Sequence, residues 1–99
     1  MLDPEHVKRF LTAVGDPNRL QILFILHGDK LNVGEIAAQF QKISRPAVSH
    51  HLKIMKDAGV LKNEKIGQEV YYWIDKPYLI QELRGFADQL EAFIDDDKI

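Results

Sequence analysis

The prolines constrain this chain more than any other feature. There are four in 99 residues, and each follows a side chain able to cap a helix: Asp3-Pro4, Asp16-Pro17, Ser44-Arg45-Pro46 and Asp75-Lys76-Pro77. Proline has no amide hydrogen and its φ is locked, so within a helix it belongs in the first turn, where the N–H groups have no intrahelical partner anyway. A short oxygen-bearing side chain just ahead of it accepts from those free N–H groups. Each combination therefore marks a helix start. Asn32-Val33-Gly34-Glu35 adds a fifth start, in the pattern of a reciprocal capping box.

Hydrophobic spacing fills in the segments behind these starts. Val7, Phe10, Leu11 and Val14 give a first amphipathic helix that Gly15 ends. Leu20, Ile22, Leu23, Ile25 and Leu26 make the second apolar on most sides, so it is expected to be a buried central helix, stopped by His27-Gly28-Asp29. Ile36, Ala37 and Phe40 supply the inward face of the third, with a turn over Gln41 to Ile43. Val48, Leu52 and Met55 form the buried stripe of the fourth, and Gly59 follows Ala58 as its terminating glycine. The period then changes. Val60 to Lys65 and Glu69 to Ile74 read as two strands around a turn at Gly67, the second rich in β-branched and aromatic residues. The fifth helix starts at Asp75 and carries Leu79, Leu83, Phe86, Leu90 and Phe93, widened by Ile80, Ala87 and Ile94. Asp95-Asp96-Asp97 is expected to be a frayed acidic tail. The fold class is mostly α with a small β-hairpin, in the order ααααββα. It forms one domain over residues 1–99, with no internal repeat or linker.

The third and fourth helices, separated by a tight turn, form a helix-turn-helix. With Val48, Leu52 and Met55 turned inward, Arg45, Ser49, His50, Lys53 and Lys56 fall on the outer side of the same helix. Such a face suits the major groove of double-stranded DNA, where arginine and lysine meet guanine or phosphate and serine and histidine bond base edges or phosphate. Ser44 and Arg45 also lie at the helix N-terminus, where free N–H groups attract phosphate. Lys62 and Lys65 of the hairpin can reach a flanking phosphate or the minor groove. His51 has no evident partner and reads as a half-buried packing residue at the edge of the motif.

Charge distribution agrees with this reading although net charge does not. The chain carries −2 overall, yet Lys42 to Lys65 holds six basic side chains against Asp57 and Glu64, while Asp75 to Ile99 holds three against seven acidic ones. A local basic patch is what meets phosphate. There is no cysteine, so disulfides, thiolate nucleophiles and thiolate metal sites are excluded. No carboxylate pair, Ser-His-Asp set or phosphate loop stands at usable spacing, so no catalytic residue is expected and the chain is not read as an enzyme. Met1 to Val14 lacks a signal-peptide pattern and the near-apolar run Ile22 to Leu26 is far too short to span a bilayer, so a cytoplasmic protein without membrane contact is expected.

Four segments in order resemble the ArsR/SmtB family of bacterial winged helix-turn-helix repressors: Gly15 to Leu23, Val33 to Ala37, Pro46 to Lys53 and Asp57 to Leu61. The resemblance spans roughly residues 5 to 95, with the stretch Phe40 to Ser44 somewhat longer than the family's usual turn. It implies a homodimeric repressor that leaves its operator when a signal arrives, with Ser49, His50 and neighbouring polar residues touching DNA. It also implies that the first and last helices make the dimer. The wide apolar stripe of the last helix, too large for a small core to cover, points the same way. Val7, Phe10, Leu79, Leu83, Phe86, Leu90 and Phe93 are the expected dimer residues. Two-fold symmetry would set two recognition helices about 34 Å apart on a pseudo-palindromic operator.

The family's metal sites are not expected here. Asp75-Lys76-Pro77 stands where an Asp-x-His motif would begin, no histidine follows His51, and an improvised site of His6 with acidic residues of the last helix is disfavoured. No metal and no cofactor are therefore expected. A small-molecule effector in a pocket near the interface, lined by Phe10, Phe86 and Tyr78, a protein partner, or no effector all stay open. Two functional alternatives stand beside the repressor: a winged-helix module used only for protein contact, and a metal-responsive repressor with a cysteine-free site.

Overall fold

The computed structural model describes residues 3–94; the acidic run Asp95 to Asp97 lies outside them. The elements are α1 (Pro4–Gly15), α2 (Pro17–Leu26), β1 (Leu31–Asn32), α3 (Val33–Ala37), α4 (Arg45–Asp57), β2 (Leu61–Ile66), β3 (Glu69–Ile74) and α5 (Lys76–Phe93). Every capping side chain named above is in place. Asp3 accepts from the Glu5 amide at 3.1 Å, Asp16 from Asn18 at 2.8 Å, Ser44 from Ala47 at 3.2 Å and Asp75 from Tyr78 at 3.2 Å. The capping box is reciprocal: Asn32 accepts from the Glu35 amide at 2.7 Å while Glu35 accepts from the Asn32 amide at 2.9 Å.

Val48, Leu52 and Met55 are buried together with Ile22, Leu26, Ile36 and Val60. α4 ends in a Schellman arrangement: the Val60 amide donates to the Met55 carbonyl at 3.0 Å and the Gly59 amide to Lys56 at 2.9 Å. Gly59 has φ +85°, and a Cβ there would lie 2.9 Å from Cε2 of Tyr78. The Tyr78 ring thus packs directly on the backbone that leaves α4.

Three expectations need correction. The sheet has three strands, not two: β1 pairs with β3, Leu31 opposite Tyr72 and Asn32 opposite Tyr71, giving the order β1-β3-β2 with all neighbours antiparallel. A two-residue strand carries too few positions to show an alternation, so its sequence reads only as a cap. The α-helical part of α3 ends at Ala37, and Phe40 packs partly against the core from the turn beyond it. α2 is not buried on most sides: Leu20 is exposed and Phe24 is 75% exposed, whereas Arg19 is buried. The inward stripe runs Arg19, Ile22, Leu26, at spacings of three and four; Leu23 packs partly against the core, while Leu20 and Phe24 face outward.

α5 stands apart. None of its residues is buried, although Ile80, Leu83, Leu90 and Phe93 are all apolar. The Cα radius of gyration is 15.6 Å, against about 13 Å for a compact chain of this size. A long helix that meets the body at its start rather than entering it accounts for the difference.

Gly59→Ala is expected to destabilise the protein by roughly 1–2 kcal/mol from the left-handed backbone alone, with the Tyr78 clash adding to it. Gly15→Ala, where a Cβ meets nothing within 4 Å, should be neutral or mildly stabilising. Urea unfolding of the two variants checks the contrast.

Candidate nucleic-acid interface

The core stripe of α4 determines what its other side presents. Ser44, Arg45, His50, Lys53 and Lys56 are exposed, and Ser49 is half-buried at the edge of the stripe. The expected contact residues of α4 therefore share one accessible side.

Several of the cations are already engaged. Lys53 donates to Asp57 one turn later at 2.8 Å, Arg45 approaches Glu69 at 3.8 Å and Lys62 approaches Asp75 at 3.8 Å. The Asp57 bond and charge hold the Lys53 amine above its ordinary range, and the same bond draws the Asp57 carboxyl below its own. Both groups are fully exposed, so this pair contributes little to stability. Any anion that takes Lys53 has to displace Asp57. Lys56 and Lys65 have no carboxylate partner among the described residues.

The hairpin separates its two lysines. Lys65 sits near the tip opposite Val70, close to the turn at Gly67, while Lys62 sits at the base opposite Trp73 beside the α5 cap. Their odd spacing sends them to opposite faces of the strand. Lys65 is placed as a wing-tip cation and Lys62 as a flank. Lys30, which sequence reasoning passed over, lies 4.2 Å from the centre of the Trp73 ring on the same flank. The ring periodicity of β3 was legible, but the lysine reaches it across the α2–β1 loop.

His51 is half-buried, and it has a partner that sequence reasoning missed: Nη1 of Arg19 lies 3.0 Å from its Nδ1. The spacing of Arg19 to Ile22 and Leu26 was the available signal.

The expected dimer residues divide. Leu83, Leu90 and Phe93 are exposed on α5, and Val7, Leu79 and Phe86 are partly covered. Phe10 is only 3% exposed and belongs to the protomer's own core, so it supports that face from beneath. An apolar groove of about 580 Å³ runs between α1 and α5, lined by Val7, Leu11, Phe86, Leu90 and Phe93 among others. The pocket expected from Phe10, Phe86 and Tyr78 does not form as one space. Phe86 lines that groove, while Phe10 and Tyr78 line a separate cavity of about 210 Å³ with His6, Arg9 and Asp57. There His6 meets Glu82 at 2.8 Å across α1 and α5. Burial, then the charge and bond of Glu82, push the neighbouring Tyr78 hydroxyl up. Among the described residues no three His, Asp or Glu side chains gather as a metal-ligating group, and no helix is long and apolar enough to cross a membrane.

Known proteins share this arrangement. A family model described as bacterial regulatory protein, arsR family, matches residues 16–63, from the α2 cap into β2. The transcriptional repressor SdpR of Bacillus subtilis is 42% identical over 67 residues, which cover 68% of this chain and 73% of that protein. The crystal structure of a "possible transcriptional regulator for arsenical resistance" superposes with a TM-score of 0.75 at 31% identity, covering 89% of this chain and 88% of that one. The fold also matches a Mycobacterium bovis fragment described as a homodimeric winged helix-turn-helix DNA-binding domain, with a TM-score of 0.69 at 23% identity over 89% of this chain and 82% of that one.

Asp57→Asn is expected to tighten DNA binding several-fold at low salt and to steepen the salt dependence by about one counterion, since Lys53 no longer has to exchange partners. A salt series of binding titrations on both proteins measures this. An unchanged slope would remove Lys53 from the phosphate contacts.

Proposed function

Because this chain belongs to the arsR family of bacterial regulatory proteins, we propose that it is a DNA-binding transcriptional repressor that occupies a pseudo-palindromic operator as a homodimer. The observation that carries the reading is the two-sided character of α4. One side is locked into the core by Val48, Leu52 and Met55, and the other offers Arg45, Ser49, His50, Lys53 and Lys56 to a groove. The chain acts as a regulator and not as an enzyme.

The homodimer is supported by α5. An amphipathic helix of eighteen residues with no buried member, lying beside an apolar groove, has a surplus that a second copy can cover. The related M. bovis fragment is described as homodimeric. In this reading α1 and α5 form the two-fold interface through Val7, Leu83, Phe86, Leu90 and Phe93, and each protomer places one α4 in successive major grooves. Ser44, Arg45, Ser49, His50, Lys53 and Lys56 contact the operator, Lys65 meets a flanking phosphate and Lys62 stands further back. Where an effector acts, the groove between α1 and α5 is the space large and apolar enough to receive a small molecule, and a second copy competes for it.

The test is a titration of the protein against DNA from upstream of its own coding region. Affinity should fall steeply with salt, because phosphate neutralisation releases counterions. Lys53→Glu with Arg45→Glu should lower it by at least about tenfold while the circular dichroism spectrum is unchanged. Equal activity in that double variant would favour a module used for protein contact alone. Leu90→Asp with Phe93→Asp should yield monomers in sedimentation and abolish high-affinity operator binding together. Dimers that persist in that variant would move the interface off α5.

A further inference from the structure

Arg19 is a charged residue in the wrong place for a surface role. It is 9% exposed, on the inward stripe of α2. Among the described residues no carboxylate forms an ion pair with it, and its Nε has no hydrogen-bond partner. Its two remaining nitrogens each hold a different helix. Nη2 donates to the Thr12 carbonyl of α1 at 2.9 Å, and Nη1 meets Nδ1 of His51 on α4 at 3.0 Å. Guanidinium nitrogens only donate and do not lose their protons in proteins. The Nδ1 of His51 must therefore be the acceptor, which leaves the ring proton on Nε2, at the outer edge of the imidazole.

From this geometry, and resting on the operator-binding reading above, we infer that Arg19 is a positioning residue for the recognition helix: it ties α4 to α1 and α2 through His51 and holds that histidine in its neutral, Nε2-protonated form. His51 lies between Ser49-His50 and Lys53, among the proposed contact residues, so its anchorage adds to the core stripe a polar restraint on how α4 sits against α1 and α2. The tie is acid-sensitive by construction. A proton on Nδ1 removes the acceptor and sets an N–H against a guanidinium. The other groups facing the pair are Asp16 at the head of α2, His50 on α4 with its ring centre 6.4 Å from that of His51, and the Thr12 carbonyl from α1. Asp16 bonds the Asn18 and Arg19 amides and not the His51 ring, so its charge moderates the conflict without replacing the lost bond.

Asparagine sets an amide oxygen close to where the histidine Nδ1 stood, whereas leucine offers none. His51→Asn should therefore bind the operator nearly as wild type does, and His51→Leu roughly tenfold or more weakly. Histidines titrate between about pH 5 and 8, and across that range wild-type affinity should fall more steeply toward acid than that of His51→Asn. Both proteins keep His50, so the difference between the profiles reports on position 51. Nitrogen-15 spectra of the DNA-free protein at neutral pH should show Nδ1 of His51 unprotonated. A protonated Nδ1, superimposable pH profiles, or His51→Asn binding as weakly as a folded His51→Leu would each overturn the assignment. Should His51→Leu not fold, the spectrum and the His51→Asn profile still decide. Failure of the wild type to bind any operator would refute the regulator reading, while the spectrum would still decide the tautomer.

Discussion

Burial of one stripe, Val48, Leu52 and Met55, against Ile22, Leu26 and Ile36 organises this molecule. Each such side chain contributes roughly 1.5–3 kcal/mol by leaving water, and together they leave α4 one rotational setting. Turning the helix so that Lys53 and Lys56 moved inward would bury two cations and expose Met55. The identity of the outward face is therefore a consequence of the core, and no residue on that face has to specify it. The ends are held as firmly: Ser44 caps the start, the Schellman bonds at Gly59 close the finish, and the Tyr78 ring rests on that finish from α5. Rigid placement on a helix is what groove recognition needs, since the contacts are only as accurate as the element that carries them.

Legibility in the sequence followed how local each signal was. Caps and first-turn prolines involve residues two or three apart, and all of those starts were readable. So were the stripe of α4 and the long apolar series of α5. What was not readable depended on distant partners. β1 exists because Leu31 and Asn32 meet Tyr72 and Tyr71 some forty positions away, and nothing in two residues announces that. α2 was misread because apolar content was weighed above spacing. Leu20 and Phe24 form their own outward row, and the inward row opens with an arginine. Lys62 was grouped with Lys65 by composition, whereas strand alternation separates them and Asp75 holds the former. For the site, the α4 face was legible, but the link from Arg19 to His51 crosses 32 positions and exists only in the folded chain.

The same local logic explains why α5 looks unfinished. In a chain of 99 residues the core is filled by α1 to α4 and the sheet, so an eighteen-residue amphipathic helix has no interior left to enter. It touches the body at its start, through the Asp75 cap and Tyr78 on Gly59, and through the His6–Glu82 bond to α1. A surface of this kind is costly to leave wet. The elongated shape and the unpartnered stripe are one observation, and the proposed second copy would account for both.

An acidic protein that binds a polyanion has to keep its cations from being wasted on indiscriminate contact. Here Arg45, Lys53 and Lys62 are each within 4 Å of a carboxylate, from Glu69, Asp57 and Asp75 in turn. In free solution those pairs are worth little to the fold. At the proposed interface each cation must trade a carboxylate for a phosphate, so the electrostatic gain from any stretch of DNA is reduced while hydrogen bonds to a matching base are not. Sequence-independent attraction is the term that salt and competing genomic sites act on. Lowering it with fixed local counter-charges raises the ratio of specific to non-specific binding without adding a single base contact.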